Sequence, residues 1–188
     1  MGRMNLVHLN LARLHLRWDL ILRAGAIAGL VEVAAGIAMY LGGVYFAPWS
    51  GIASLLVLAV SIAVAQKWYA VRTAPVPMGY AAAFGVGATV AAITAMIYVI
   101  YNFVSVSFLY PHFIEQMVDA RFRQQRLPGM AQVQANQLLD RLRAETTLRA
   151  IAVGNFLFLS VRGIAFAALL AAFTRRRGSV YASKSLKS

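Results

Sequence analysis

The sequence predicts an all-α, polytopic membrane protein with four transmembrane helices, and three observations predict it. First, the 188 residues are 61% hydrophobic and 13% charged, with a mean hydropathy of +0.67, whereas a soluble domain is about a quarter charged. Second, the apolar residues gather in four stretches, 24–46, 50–71, 78–109 and 150–174, long enough to cross a hydrocarbon core ~30 Å thick. Third, the basic residues behind the net charge of +12 stand at the ends of these stretches. That is the positive-inside pattern rather than one soluble patch. It argues against nucleic acid as a partner and makes anionic lipid headgroups the counter-charge. Four crossings and their connections fill the chain, so residues 1–188 form a single membrane domain. No cysteine is present, which excludes disulfides and thiolate metal sites.

Residues 1–23 predict an amphipathic helix lying on the membrane surface. Val7, Leu11, Leu14, Trp18 and Ile21 share one face, and Arg3, Arg13 and Arg17 supply positive charge. A signal peptide is the weaker reading, because the apolar run that follows is about twice as long as an h-region. His15 and Asp19 stand one turn apart and read as a solvated pair rather than a metal site.

The first span, 24–46, carries Gly25, Gly29, Gly36 and Gly43 on one stripe, with Glu32 on the same stripe. Small residues let a neighbouring backbone approach closely, so this face is expected to meet protein rather than lipid. A charged side chain at mid-membrane costs roughly 2.5–3.5 kcal/mol on insertion scales and persists when something answers it. The answer expected from the sequence is Arg162, the one basic residue inside the last span.

An uncharged turn, Ala47-Pro48-Trp49-Ser50, leads to the second span, 50–71, which exits through Gln66-Lys67-Trp68-Tyr69, with the Trp68-Tyr69 pair expected within the interface and Lys67 snorkelling. Pro75-Val76-Pro77 marks the next connection. The third span, 78–109, has Tyr98 and Asn102 one turn apart on a shared face. Residues 110–149 predict an extracytoplasmic hairpin of two amphipathic helices, 111–126 and 131–149, broken at Leu127-Pro128-Gly129. Phe113, Met117 and Phe122 are its apolar side. The fourth span, 150–174, places Asn155 on the face of Arg162, and the basic tail 175–188 opens with Arg175, Arg176 and Arg177.

Basic residues stand before the first span, after the second and after the fourth, while the turn 47–50 has none; the six arginines of residues 110–149 run against this locally and are outweighed by the triple arginine after the fourth span. This predicts four spans with both termini cytoplasmic. Arg13, Arg17, Lys67 and Arg175 to Arg177 would anchor to lipid headgroups. On that topology Glu32 lies about 12 Å and Arg162 about 18 Å from the cytoplasmic end, close enough for a long arginine to bridge. The expectation is a structural ion pair between first and last spans, with Tyr98, Asn102 and Asn155 as polar neighbours.

From Gly25 to Arg177 the chain resembles a family of bacterial four-span inner-membrane proteins of unknown function. The carrying features are the glycine-marked first span, Gln66-Lys67-Trp68-Tyr69, Phe84-Gly85, Tyr98-Val99-Ile100-Tyr101, Pro111-His112-Phe113 and a last span ending in basic residues. The resemblance implies four spans and no assigned activity.

Catalysis is not expected. The spans lack histidine, cysteine and a second acid in their cores, so a metal site or an acid–base dyad lacks its parts. His112 and Glu115 stand three apart on the hairpin and read as a solvated pair. His8, His15 and His112 all sit at the membrane surfaces, so no haem-type cofactor is expected. The function expected is therefore that of a non-enzymatic accessory or structural subunit, working beside other membrane subunits through helix packing and lipid contacts. A small transporter or channel, with a polar path around Glu32 and Arg162, is the alternative.

Overall fold

The computed structural model describes residues 16–74, 77–110 and 112–174. The expected surface helix over residues 1–15, with Arg13, and the tail with Arg175, Arg176 and Arg177 lie outside the described residues, as do residues 75, 76 and 111. The described chain forms α1 (Trp18–Leu41), α2 (Ser50–Arg72), α3 (Tyr80–Val104, continued by a π-helical turn, Ser105–Leu109), α4 (Phe113–Gln125), α5 (Gln132–Glu145) and α6 (Leu148–Thr174). Four of these, α1, α2, α3 with its extension, and α6, are long and apolar enough to span a membrane. The chain is a multi-pass helical membrane protein, as its composition predicts.

The first span begins and ends earlier than expected. Residues 18–23, assigned from the sequence to the surface helix, are the opening turns of α1, and Leu20 and Ile21 are buried in the bundle. The helix stops at Leu41 because Gly42-Gly43 ends it. Gly43 takes φ +70°, a left-handed conformation that costs glycine little. The Gly42 and Val44 N–H groups then donate to the carbonyls of Ala38 and Met39, both at 2.9 Å. Gly43 is thus a turn residue and not part of the packing stripe, and Tyr45 and Phe46 belong to the connection.

The hairpin breaks where expected, with Gly129 at φ +80°, but α5 stops at Glu145 and α6 starts at Leu148. Thr147 explains the early start. Its Oγ1 accepts from the Ala150 N–H at 3.2 Å, a side-chain cap that satisfies one of the free donors of the first turn.

α3 is the central helix. It packs along α6 on one side and α1 on the other, and α2 touches all three. Small residues set these approaches. A Cβ on Gly25 or Gly29 would fall 2.8 or 2.7 Å from Ile93 or Ile97 of α3, and one on Gly163 would fall 2.5 Å from the Ala91 Cβ. Ile21, Leu58, Ile62, Val86, Val90, Ala91 and Ala167 fill the centre. Outward-facing Ile52, Leu56, Val60 and Val64 on α2, and Val153, Leu157, Val161 and Leu169 on α6, are exposed. Interior and exterior of a membrane bundle are both apolar, which is why the interfaces use small residues and polar groups.

At the end of the bundle where α1 meets α2, the hairpin forms a roof. The Phe113 ring of α4 sits 5.4 Å from each of Tyr45 and Phe46, and Tyr40 stacks on Tyr110 at 4.2 Å. Tyr40 also donates its hydroxyl to Gln116 at 3.3 Å. Arg121 of α4 donates to the Thr146 hydroxyl at 3.3 Å, tying α4 to the end of α5 just before α6 begins.

Candidate functional site

Two sets of interior polar groups stand out among the described residues, one in each half of the bundle. In the half away from the roof, Gln66 of α2 is wholly buried. Its Nε2 donates to the carbonyls of Ala83 on α3 at 3.0 Å and Ala167 on α6 at 3.2 Å. Its Oε1 accepts from the Thr174 hydroxyl at 2.9 Å. One amide thus joins three spans with its donors and acceptor satisfied. Gly87 makes room for it, since a Cβ there would stand 2.5 Å from Nε2. The sequence places the Trp68-Tyr69 pair at the interface with Lys67 snorkelling and assigns no separate role to Gln66. Lys67 is indeed exposed, and Gln66, one residue away, points inward.

Glu32 lies in the roof half. It is 2% exposed, and one carboxyl oxygen accepts the Ser54 hydroxyl of α2. The other, Oε2, has no hydrogen-bond partner among the described residues. The ion pair expected between Glu32 and Arg162 is not formed: Arg162 is exposed on α6, its guanidinium stacked 3.6 Å from the Phe158 ring. The reason is lateral rather than vertical. By helical rise the two residues lie within about 7 Å of the same depth, but α3 stands between α1 and α6. A Glu32→Gln, Arg162→Gln double-mutant cycle is therefore expected to be additive to about 0.5 kcal/mol. Chemical unfolding in detergent would measure it; a coupling clearly above that value would restore the pair.

Above Ser54, under the α4 roof, is a partly open cavity of about 630 Å³. Ser50 and Ser54 of α2, Tyr45 of the connection, Tyr98 of α3, Arg121 and Gln124 of α4, and Asn155 of α6 supply its polar lining. The Tyr45 and Tyr98 hydroxyls share a hydrogen bond at 3.2 Å. Asn102 turns away and donates to its own helix, at the Tyr98 carbonyl, 2.9 Å. Of the residues expected as polar neighbours, Tyr98 and Asn155 thus share the cavity, while Asn102 serves the backbone next to the π-helical turn. Gly36 packs beside the Tyr98 ring, so the stripe does face protein: Gly25, Gly29 and Gly36 meet α3, and Glu32 reaches Ser54 of α2.

Arg17 and Lys67, expected as headgroup anchors, are both exposed at the end opposite the roof. Arg17 pairs with Asp19 at 2.9 Å, and its backbone N–H donates to the Tyr69 hydroxyl at 3.1 Å. On the hairpin, His112 and Glu115 make an exposed pair at 3.3 Å.

Comparison with known protein families places this arrangement. Residues 23–176 match the family described as "Protein of unknown function (DUF4199)". The chain belongs to the DUF4199 family. The DUF4199 match takes in nearly all of the four spans, the roof hairpin, Gln66, Glu32 and the cavity. Residues 1–22 and the last twelve residues fall outside it. No curated protein and no solved structure matches the chain.

Proposed function

We propose that this DUF4199 protein is a non-enzymatic accessory subunit of a larger membrane assembly, in a bacterial inner membrane with both termini cytoplasmic. It works through helix packing and contacts with lipid, anionic lipid included. Arg162 carries this reading. It stands near the middle of α6, about 21 Å from Leu148 and about 18 Å from Thr174 along the axis. Its side chain is exposed, and no carboxylate pairs with it among the described residues. Charged residues at this depth normally face a polar interior or a counter-charge. Stacking on Phe158 contributes about 0.5–2 kcal/mol, less than the cost of leaving the cation facing hydrocarbon. A second copy of the chain is a poor donor of the missing acid. The spans hold only Asp19, at the far end of α1, and Glu32, which is buried. The counter-charge fits an acidic residue in a span of a different protein.

A small transporter is the second reading, and the cavity above Ser54 favours it. The closely packed half below, centred on Leu58, Ile62, Val90 and Gln66, opposes a continuous path.

The test is purification of the tagged chain from its native membrane in mild detergent, with companions identified by mass spectrometry. Reproducible stoichiometric companions are expected for wild type and their loss for Arg162→Leu. A chain that purifies alone, or only with itself, contradicts the proposal.

A further inference from the structure

The cavity under the roof is not used by the accessory-subunit reading, and its lining is chemically asymmetric. At its floor the Ser54 hydroxyl commits its one proton to Glu32, so towards the cavity it presents only lone pairs. Beside it, one of the Tyr45 and Tyr98 hydroxyls donates to the other, which leaves lone pairs on both oxygens and one O–H proton uncommitted. Behind Ser54 lies an acid with one oxygen unpartnered. The floor therefore offers lone pairs on three oxygens against one free O–H and is backed by a carboxyl group, a surface suited to a group that brings several N–H donors and a positive charge. At the rim the chemistry reverses. Arg121 and Gln124 line the α4 side, and Arg121 gives one guanidinium nitrogen to Thr146, keeping further donors for an anion. Phe46, Met39 and Met117 complete the wall with apolar surface. The volume, about 630 Å³, lies within the usual range for small-molecule sites, roughly 300–1,000 Å³.

We propose that this cavity binds a small zwitterion, with its protonated amine on the Ser54 and tyrosine oxygens before Glu32 and its acidic group at Arg121. An ammonium supplies the countercharge that Glu32 lacks among the described residues, and Arg121 fixes which end of the ligand faces outward. The same pair of groups occurs in a free amino-phosphate solute and in the phosphoethanolamine head of a lipid. The roofed position, level with the first turns of α2 and α6, admits either.

The full chain in detergent or nanodiscs tests this with defined probes. Phosphoethanolamine, ethanolamine and inorganic phosphate are titrated calorimetrically, and phosphatidylethanolamine and phosphatidylglycerol are compared by native mass spectrometry. The amine-bearing zwitterions are expected to bind about tenfold or more tighter than probes carrying only one of the two groups, the scale of one charge-assisted hydrogen bond. Ser54→Ala weakens them by about the same factor. Arg121→Gln removes the preference of phosphoethanolamine over ethanolamine while leaving the amine contact. Because Arg121 is exposed, that variant reports on binding even if changes at Glu32 or Ser54 impair folding. Tight binding of the soluble probe identifies a free solute as the source, and binding of phosphatidylethanolamine alone identifies a lipid. Failure of every amine-bearing probe to bind overturns the proposal. So does equal binding of phosphatidylglycerol or inorganic phosphate, or indifference of phosphoethanolamine binding to Arg121→Gln.

Discussion

Replacing Gln66 with leucine is expected to lower stability by about 2–3 kcal/mol, given interhelical hydrogen bonds in membranes of about 0.6–1.7 kcal/mol each. The substitution keeps most of the volume and removes three bonds at once. The Ala83 and Ala167 carbonyls lose their cross-helix donor, and the Thr174 hydroxyl loses its acceptor on α2. The backbone carbonyls are not left bare, because each lies within a continuous helix. Thr174 likewise keeps its bond to the Leu170 carbonyl at 3.0 Å. That retention is why the loss is bounded and the variant still folds. Lys67→Gln, one residue along and exposed, should leave the unfolding midpoint unchanged. Denaturant titration of the three proteins in one detergent separates the cases, and equal midpoints for Gln66→Leu and wild type would remove this group from the account.

The second large effect concerns a tight approach of α3 and α6. Gly163→Ala is expected to cost about 1–3 kcal/mol, the usual penalty of overpacking a filled site. The added Cβ would stand 2.5 Å from the Ala91 Cβ and 3.6 Å from Leu58 Cδ2. Helix backbones cannot separate by the missing distance without loosening the contact on both sides of that point. Ala91→Gly in the same chain opens the space again, so the double variant should recover most of the loss. Two independent penalties in the double variant would mean that the helices do not touch at this pair.

Much of the fold is legible in the sequence because lengths and hydropathy decide it. A bilayer leaves few options for four runs of this length, and Pro128-Gly129 can hardly sit inside a helix. The first span was misplaced because its apolar run continues through Gly42-Gly43 to Phe46. Hydropathy does not register a turn made of glycines and aromatic residues. Thr146-Thr147 before an apolar run is a readable capping signal, and it marks where α6 begins.

The polar interior was harder. Depth along a helix can be counted from the sequence, and Glu32 and Arg162 do lie at similar depths. Their separation depends on which helices are neighbours, which the spacing of residues within each helix does not encode. The inward place of Gln66 is hidden for a related reason. In the string Gln66-Lys67-Trp68-Tyr69 it looks interfacial, and only the rotation of α2 sends the amide inward while Lys67 goes out. A signal was present: Gln66 follows Leu58, Ile62 and Ala65 on the helical period, the face that turns out to be buried.

The central claim is that Arg162 meets an acid supplied by another protein. The most direct measurement is photo-cross-linking in intact native membranes, with the reactive group placed at the exposed neighbour Val161 and the adducts read by peptide mass spectrometry. The account predicts one dominant protein adduct, in a membrane span of a different chain that carries an aspartate or glutamate near the cross-linked residue. It further predicts that the adduct fades when Arg162 is changed to leucine. Adducts to lipid alone, or to a second copy of this chain, would contradict it.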